Sequence, residues 1–319
     1  MLTQATAGSL LIMAGLMARA TFRRSKSTDA ARSATTLLYL GRPAAGKRTG
    51  RNIGGPHSNT ASDLEAVHLP VAVKLRDWRR VHDPPSLAND GFELTHLEPA
   101  EPEADFSDHA VLKELYARVE QLVQSAVGAD RVIVFDHTLR LSGVEGLNSL
   151  DGKSAAGAVI RVHGDYTPAS GPVRLQRLVD DGTVALRGEA SGARFAFVNV
   201  WQSIDERHPV LQHPLALCRP RSIEYAADTW PYHMHFAERT GQNLACEARA
   251  AHEWGYFPRM TCDEAIVFVT YDSERAHTGV GVVHTAFEDA SIDGAGVPRR
   301  SVELRTVAIW DGEHQGGAG

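Results

Sequence analysis

The chain has 319 residues, 43% of them hydrophobic and 23% charged, with a net charge of −6. Those proportions fit a globular protein and exclude a disordered or collagen-like chain; the interspersed charges leave no basic footprint for nucleic acid. Three widely spaced cysteines, Cys218, Cys246 and Cys262, include no Cys-x-x-Cys pair, which argues against a disulfide framework or zinc ribbon and for a reducing, cytoplasmic location.

Residues 1–34 read as a disordered extension to a single domain spanning 35–319. The apolar run Leu10 to Met17 is too short to span a bilayer, and no basic start precedes it, so no membrane contact is expected. The basic residues Arg19, Arg23, Arg24, Lys26 and Arg32, with no acid before Asp29, leave a transit peptide or contact with a membrane surface as the alternative. Thr35 to Leu40 reads as a strand. Gly41 to Lys47 then imitates the first seven positions of a phosphate-binding loop, but Arg48 stands where a hydroxyl is required and Pro43 removes an N–H. The polar stretch after it holds no helix pattern, so nucleotide binding is rejected.

Residues 84–102 read as loop. A helix follows, capped by Ser107 or Asp108, with Leu112, Leu115, Tyr116, Val119, Leu122, Val123 and Val127 on one face and Gly128 at its end. Arg131 to Phe135 reads as a buried strand that leaves Asp136, His137 and Arg140 at its end, either near the mouth of a site or in a local turn.

With 15 histidines and 39 acidic residues, a His-x-Asp/Glu spacing is expected about twice by chance. It occurs at His96-Leu97-Glu98, where no strand is expected to lead in, and at His163-Gly164-Asp165, which follows the β-branched run Ala158 to Val162. A histidine and a carboxylate at a strand end, joined by a later histidine, make the facial triad that holds non-haem Fe(II). Ser170 is expected to cap a short helix beyond this pair, with Leu175, Leu178 and Val179 inward.

Phe195, Phe197, Asn199 and Trp201 share one face of a strand. A buried Asn needs partners, either a cosubstrate or substrate oxygen or a structural bond. His233 and His235 have cupin-like spacing without a clean strand before them, and His252 precedes an aromatic cluster, Trp254 and Tyr256 among it, suited to a substrate wall. His284 follows the run Gly279 to Val283 and is preferred as third ligand over His277. Arg299-Arg300-Ser301 then leads into the alternating strand Ser301 to Ile309. A keto-acid's distal carboxylate calls for such a bidentate guanidinium with a hydroxyl beside it. Arg299 and Ser301 are therefore the cosubstrate candidates, with Arg305, on the same side of the strand, as competitor.

The blocks Phe135 to Arg140, Val162 to Thr167, Phe197 to Trp201, Pro214 to Cys218, Tyr271 to Ser273 and His284 to Asp289 resemble one family. It joins the small component of cephamycin 7-methoxylase, fungal gibberellin desaturase and the aspergillic-acid hydroxylase. The likeness runs from about Thr35 to Ile309. It implies a double-stranded β-helix, a jelly-roll barrel with flanking helices. It implies an Fe(II)- and 2-oxoglutarate-dependent oxidoreductase of secondary metabolism, with O2 and a small-molecule substrate. By position, His163, Asp165 and His284 would be the iron ligands and Arg299 with Ser301 the cosubstrate anchor, Arg305 competing; Asn199 joins the expected cosubstrate set, and His137, Arg140, Tyr166, Trp201, Trp254 and Tyr256 are the expected substrate-binding residues. The other reading is a non-catalytic accessory component that binds a substrate or a protein partner in the pathway.

Overall fold

A computed structural model describes residues 32–53, 61–99, 106, 108–141, 157–186, 194–236, 239–275, 281–292 and 296–311. The extension 1–31, His277 and Ser107 lie outside the described residues. Among the described residues, fifteen strands form two sheets. The smaller contains β5 (Phe92–His96), β6 (Arg131–Leu141), β8 (Arg194–Ser203), β13 (Glu264–Asp272) and β15 (Arg300–Trp310), in the order β5-β13-β8-β15-β6 and antiparallel throughout.

The larger is built from β1 (Arg32–Gly41), β2 (Arg48–Asn52), β3 (Leu64–Glu65), β4 (Val67–Asp77) and β7 (His163–Gly164) with β9 (Leu215–Cys218), β10 (Thr229–His235), β11 (Thr240–Cys246), β12 (Trp254–Tyr256) and β14 (His284–Ala286). Its central order is β9-β14-β7-β11. Trp201, Ile266 and Phe268 of the smaller sheet share a core cluster with Leu215 and Leu217 of the larger one, so the sheets close on each other as a jelly roll. Among the described residues no helix is long and apolar enough to cross a membrane.

Helices close the outside. α1 (Leu87–Asp90) is a single turn; α2 (His109–Val127) begins where the Asp108 side chain accepts from the Ala110 N–H and ends at Gly128 with φ 66°. Its buried stripe of Leu112, Leu115, Val119 and Val123 follows the expected face. Leu115, Val119 and Val123 pack on Val132, Val134, Val200 and Val302 of the smaller sheet. α3 (Ser170–Asp180) seats Leu175 and Leu178 on Phe195, Phe197 and Tyr271. α4 (Tyr225–Asp228) precedes β10. Ser170 is the first residue of α3 rather than a cap outside it, and it exchanges hydrogen bonds with Thr167, Thr167 N to Ser170 Oγ at 2.8 Å and Ser170 N to Thr167 Oγ1 at 3.0 Å. Gly171 sits here because a Cβ would fall 2.3 Å from the Tyr271 ring.

Several local expectations change. Ala158 to Val162 is not a regular strand: it touches the sheet through the Leu38–Arg161 bridge and the bond from Val162 N to the Leu38 carbonyl. β10 is a regular strand through Trp230 to His235, Pro231 included. A strand, β5, does lead into His96, yet His96 lies exposed, 4.0 Å from Asp263. The stretch after the false phosphate loop forms β2, a strand where a nucleotide site would need a helix.

Candidate metal centre

Three side chains converge between the sheets. His163 of β7 and His284 of β14 are direct antiparallel partners, so both leave the sheet on one face with ring centroids 4.5 Å apart. Asp165, two residues beyond His163, brings Oδ1 to 3.6 Å from His163 Nε2 and 3.8 Å from His284 Nε2. All three donors lie within 4.8 Å of one another. A first-row ion with ligand bonds of about 2.0–2.2 Å spaces its donors roughly 3–3.6 Å apart, so closing on one requires only a small contraction.

Both rings are held the same way. His163 Nδ1 lies 2.7 Å from the Arg161 carbonyl and His284 Nδ1 lies 2.9 Å from the Val282 carbonyl. A carbonyl only accepts, so each Nδ1 carries the proton and each Nε2 lone pair faces Asp165. Burial, then the neighbouring His284, pushes the His163 pKa well below the usual imidazole value, which favours the neutral, ligating form.

Asn199 of β8 reaches across from the facing sheet. Its Nδ2 donates to Asp165 Oδ2 at 2.8 Å and to Glu303 Oε1 at 3.0 Å, while its Oδ1 is buried without a partner. Glu303 was missed by the sequence reading, although the alternation Ser301, Glu303, Arg305 puts it between two residues that were named. Burial opposes its ionisation, but Arg305 and Arg140 outweigh that and hold its carboxyl below the ordinary value. Arg305 donates to Glu303 Oε1 at 3.0 Å, to Asp136 Oδ2 at 3.0 Å and to Thr138 Oγ1 at 2.9 Å. Arg140 Nη2 lies 3.6 Å from Glu303 Oε2, and its Nη1 donates to the Gly157 carbonyl at 2.8 Å.

Arg299 differs from both. It is 4% exposed, stands 5.7 Å from the Trp201 ring centre, and forms no ion pair with any described carboxylate. One amino group donates to the His213 carbonyl, while Nε is buried and unpartnered. His213, also missed by the sequence reading, turns that carbonyl from a backbone with φ 47°. Burial, then the Arg140 charge, pulls the Arg299 pKa down to about 9. Ser301 Oγ is likewise buried and unpartnered. A buried cation and hydroxyl left unsatisfied together are a receptor for an anion.

A cavity of about 590 Å³ opens beside Asp165, with Tyr166, Phe135 and Arg305 in its wall. Tyr166 stacks on Phe197 at 4.6 Å. The remaining wall candidates lie elsewhere. His137 points to the helix side of β6, its Nδ1 2.6 Å from the Tyr116 hydroxyl. Trp254 and Tyr256 belong to the core around Tyr39 and Cys218 on the larger sheet. There the Trp254 indole donates to the Tyr39 hydroxyl at 2.6 Å and the Tyr256 hydroxyl donates to Asp289 at 2.7 Å. His252 bonds Tyr39 and Asp228 in that same core, and His233 and His235 meet Gln242 and Thr240 on the β10–β11 hairpin.

The chain is similar to proteins whose names concern the same chemistry. It is 28% identical to an alpha-ketoglutarate-dependent dioxygenase, phiK, of a fungal species (Fungal sp.), over 78% of this chain and 85% of that protein. It is 26% identical to the alpha-ketoglutarate-dependent dioxygenase tstK of Talaromyces stipitatus, over 78% of this chain and 91% of that protein. Its fold matches the structure of the iron and alpha-ketoglutarate-dependent endoperoxidase NvfI with a TM-score of 0.70 and 22% identity, covering 88% of this chain and 99% of that one. The signature of the Oxidoreductase/YMDC permease-like domain matches residues 37–309, and the chain belongs to that family.

Proposed function

We propose that this protein is an Fe(II)- and 2-oxoglutarate-dependent oxidoreductase that hydroxylates or desaturates a small secondary metabolite. One observation carries the reading: a two-histidine, one-carboxylate donor set shares the space between the sheets with Arg299 and Ser301, whose Nε and Oγ are buried without a hydrogen-bond partner. The dioxygenase names of phiK and tstK support it. The motif blocks support a closer kinship, with the cephamycin methoxylase component and the gibberellin and aspergillic-acid oxidases. The unpaired state of Cys218, Cys246 and Cys262 supports a reducing compartment such as the cytoplasm.

The donor set fits the metal: two neutral imidazoles and a carboxylate on one side leave the opposite positions open. Iron(II), when bound with 2-oxoglutarate and O2, supplies the oxidising chemistry that removes hydrogen from an unactivated carbon. His163, Asp165 and His284 would hold the ion, and Arg299 with Ser301 would hold the distal carboxylate of 2-oxoglutarate. Arg305 is the weaker choice, since Glu303, Asp136 and Thr138 already occupy its donors. Asn199 fixes the Asp165 carboxylate, leaving Oδ1 turned toward the histidines. Phe197 and Phe268, both buried, keep bulk water from the inner side. That donors and anion receptor come from one chain supports activity without a second protein.

The test is to purify the chain, load it anaerobically with Fe(II), and follow 2-oxoglutarate conversion to succinate on exposure to O2. One iron per chain with slow substrate-free conversion is expected. Iron binding without any consumption of 2-oxoglutarate would instead make this a non-catalytic accessory component.

A further inference from the structure

The cavity beside Asp165 carries charge that the metal chemistry does not use. Arg174 and Arg177 of α3 and Arg239 just before β11 stand in its wall. The acids in the same wall are already engaged: Asp136 with Arg305 at 3.0 Å, and Asp165 with Asn199 at 2.8 Å. Among the described residues no carboxylate forms an ion pair with any of the three arginines. Arg174 instead lies over the Phe135 ring at 4.8 Å and Arg239 over Phe236 at 4.0 Å. Their charges also feel one another, since burial, then Arg177 and Arg174, lowers the pKa of Arg239. Three guanidiniums around one opening, none ion-paired with a described carboxylate, form an anion-attracting rim.

The rest of the wall mixes polar side chains, Ser170, Thr240, Gln242 and Asn243 among them, with an apolar strip. Tyr166 and Met234 line it, and so does Val173, which is 51% exposed and one of three large hydrophobic side chains left in solvent among the described residues. About 590 Å³ is room for a metabolite of ordinary size.

We infer that the substrate is an amphipathic organic anion: its carboxylate or phosphate is gripped by Arg174, Arg177 and Arg239, its apolar body lies on Val173, Met234 and Tyr166, and the carbon to be oxidised points toward Asp165. The oxidation rests on the function proposed above; the anion grip does not. The rim is also separate from the cosubstrate's anchor, because Arg299 is not part of this wall.

The test uses the full chain and three probes of one shape, naphthalene-2-carboxylate, 2-naphthyl phosphate and the neutral naphthalene-2-carboxamide, titrated by calorimetry in the presence of saturating 2-oxoglutarate. One of the two anions should bind about tenfold or more tightly than the amide, as expected for charge-assisted contacts, and which one does so identifies the group. Arg239→Gln, at an exposed position where folding is not at stake, should lose most of that preference. Arg174→Gln with Arg177→Gln should abolish it, while Arg239→Lys should retain part of it. Separate titrations of Fe(II) and 2-oxoglutarate should be unchanged in all these variants. Equal binding of the anions and the amide would overturn the inference, as would a loss of 2-oxoglutarate affinity in the Arg174/Arg177 double variant. The anion preference persisting in a chain that never consumes 2-oxoglutarate would instead sink the catalytic reading and leave the grip standing.

Discussion

Replacing Arg299 with methionine isolates the cosubstrate anchor. The substitution keeps most of the side-chain volume over Trp201 and removes the charge. In the ligand-free protein Arg299 holds one hydrogen bond, to the His213 carbonyl, worth about 1 kcal/mol. Against that stands a 4% exposed cation without an ion pair to any described carboxylate, whose burial costs several kcal/mol even after relaxation. The apoprotein should therefore melt no lower than wild type. Binding tells the opposite story: the guanidinium is already stripped of water, so a bidentate carboxylate contact gains on the order of 2–5 kcal/mol. Its loss weakens 2-oxoglutarate by about thirtyfold or more. Calorimetric titration of 2-oxoglutarate into the Fe(II)-loaded variant, beside a thermal melt of the apoprotein, reads both quantities. A destabilised apoprotein with unchanged 2-oxoglutarate affinity would refute the reasoning, and a large affinity loss confined to Arg305→Met would transfer the role to Arg305.

His163→Ala and His284→Ala should each abolish stoichiometric iron binding while circular dichroism stays native, whereas His233→Ala, on the β10–β11 hairpin, should bind iron as wild type does. Asn199→Leu removes the donor shared by Asp165 and Glu303; iron affinity, measured by competition with a chelator, should fall roughly 10- to 100-fold, the usual consequence of releasing a ligand from its supporting bond. Deleting residues 1–31 should leave the melting temperature unchanged, whereas a deletion reaching Gly41 should unfold the chain, because β1 pairs with β4 along its whole length from Arg32↔Arg76 to Gly41↔Val67.

The local half of the site was legible from spacing, whereas the non-local half was reached only through strand context and the family resemblance. His163 and Asp165 share a strand end by spacing alone. That His284 faces His163 depends on β7 and β14 becoming neighbours across more than a hundred residues of chain, which spacing cannot state. The helix-side position of His137 has a specific cause. Val132 and Val134 face α2, so simple alternation would send Asp136 and Arg140 to the helix and His137 inward. A register shift between Arg305 and Thr306, opposite Asp136 and Val134, inserts one residue and reverses the parity. His137 and Leu139 then face the helix, while Asp136, Thr138 and Arg140 face the inner side, toward Arg305 and Glu303. The strand was also expected to stop at Phe135, whereas β6 continues to Leu141. The aromatic cluster at Trp254 and Tyr256 was misplaced for a related reason: apolar side chains before a turn suit a pocket wall and a second core equally well, and only the pairing of β12 with β9 and β4 separates the two.

The network around the triad has a charge pattern that bears on how its ligands load. Arg140, Arg299 and Arg305 face Asp136, Asp165 and Glu303, three cations against three anions. Arg305 and Arg140 neutralise Asp136 and Glu303 through contacts of 3.0–3.6 Å, which leaves the negative charge at Asp165 and the positive charge at Arg299. Fe(II) and 2-oxoglutarate carry +2 and −2 at neutral pH, so adding both preserves neutrality and adding either alone does not. In a desolvated space an unbalanced double charge is expensive. The two ligands should therefore bind with positive coupling, and by reciprocity each must tighten the other by the same factor. Mn(II) in place of iron allows the measurement without turnover: 2-oxoglutarate affinity with and without metal, and metal affinity with and without 2-oxoglutarate, should shift equally and by at least about tenfold, within the range of typical coupling energies. In Arg299→Met the charge at that end is gone and the coupling should shrink. Independent binding in the wild-type protein would mean that the two ligands do not share this network, and the placement of 2-oxoglutarate at Arg299 would fall with it.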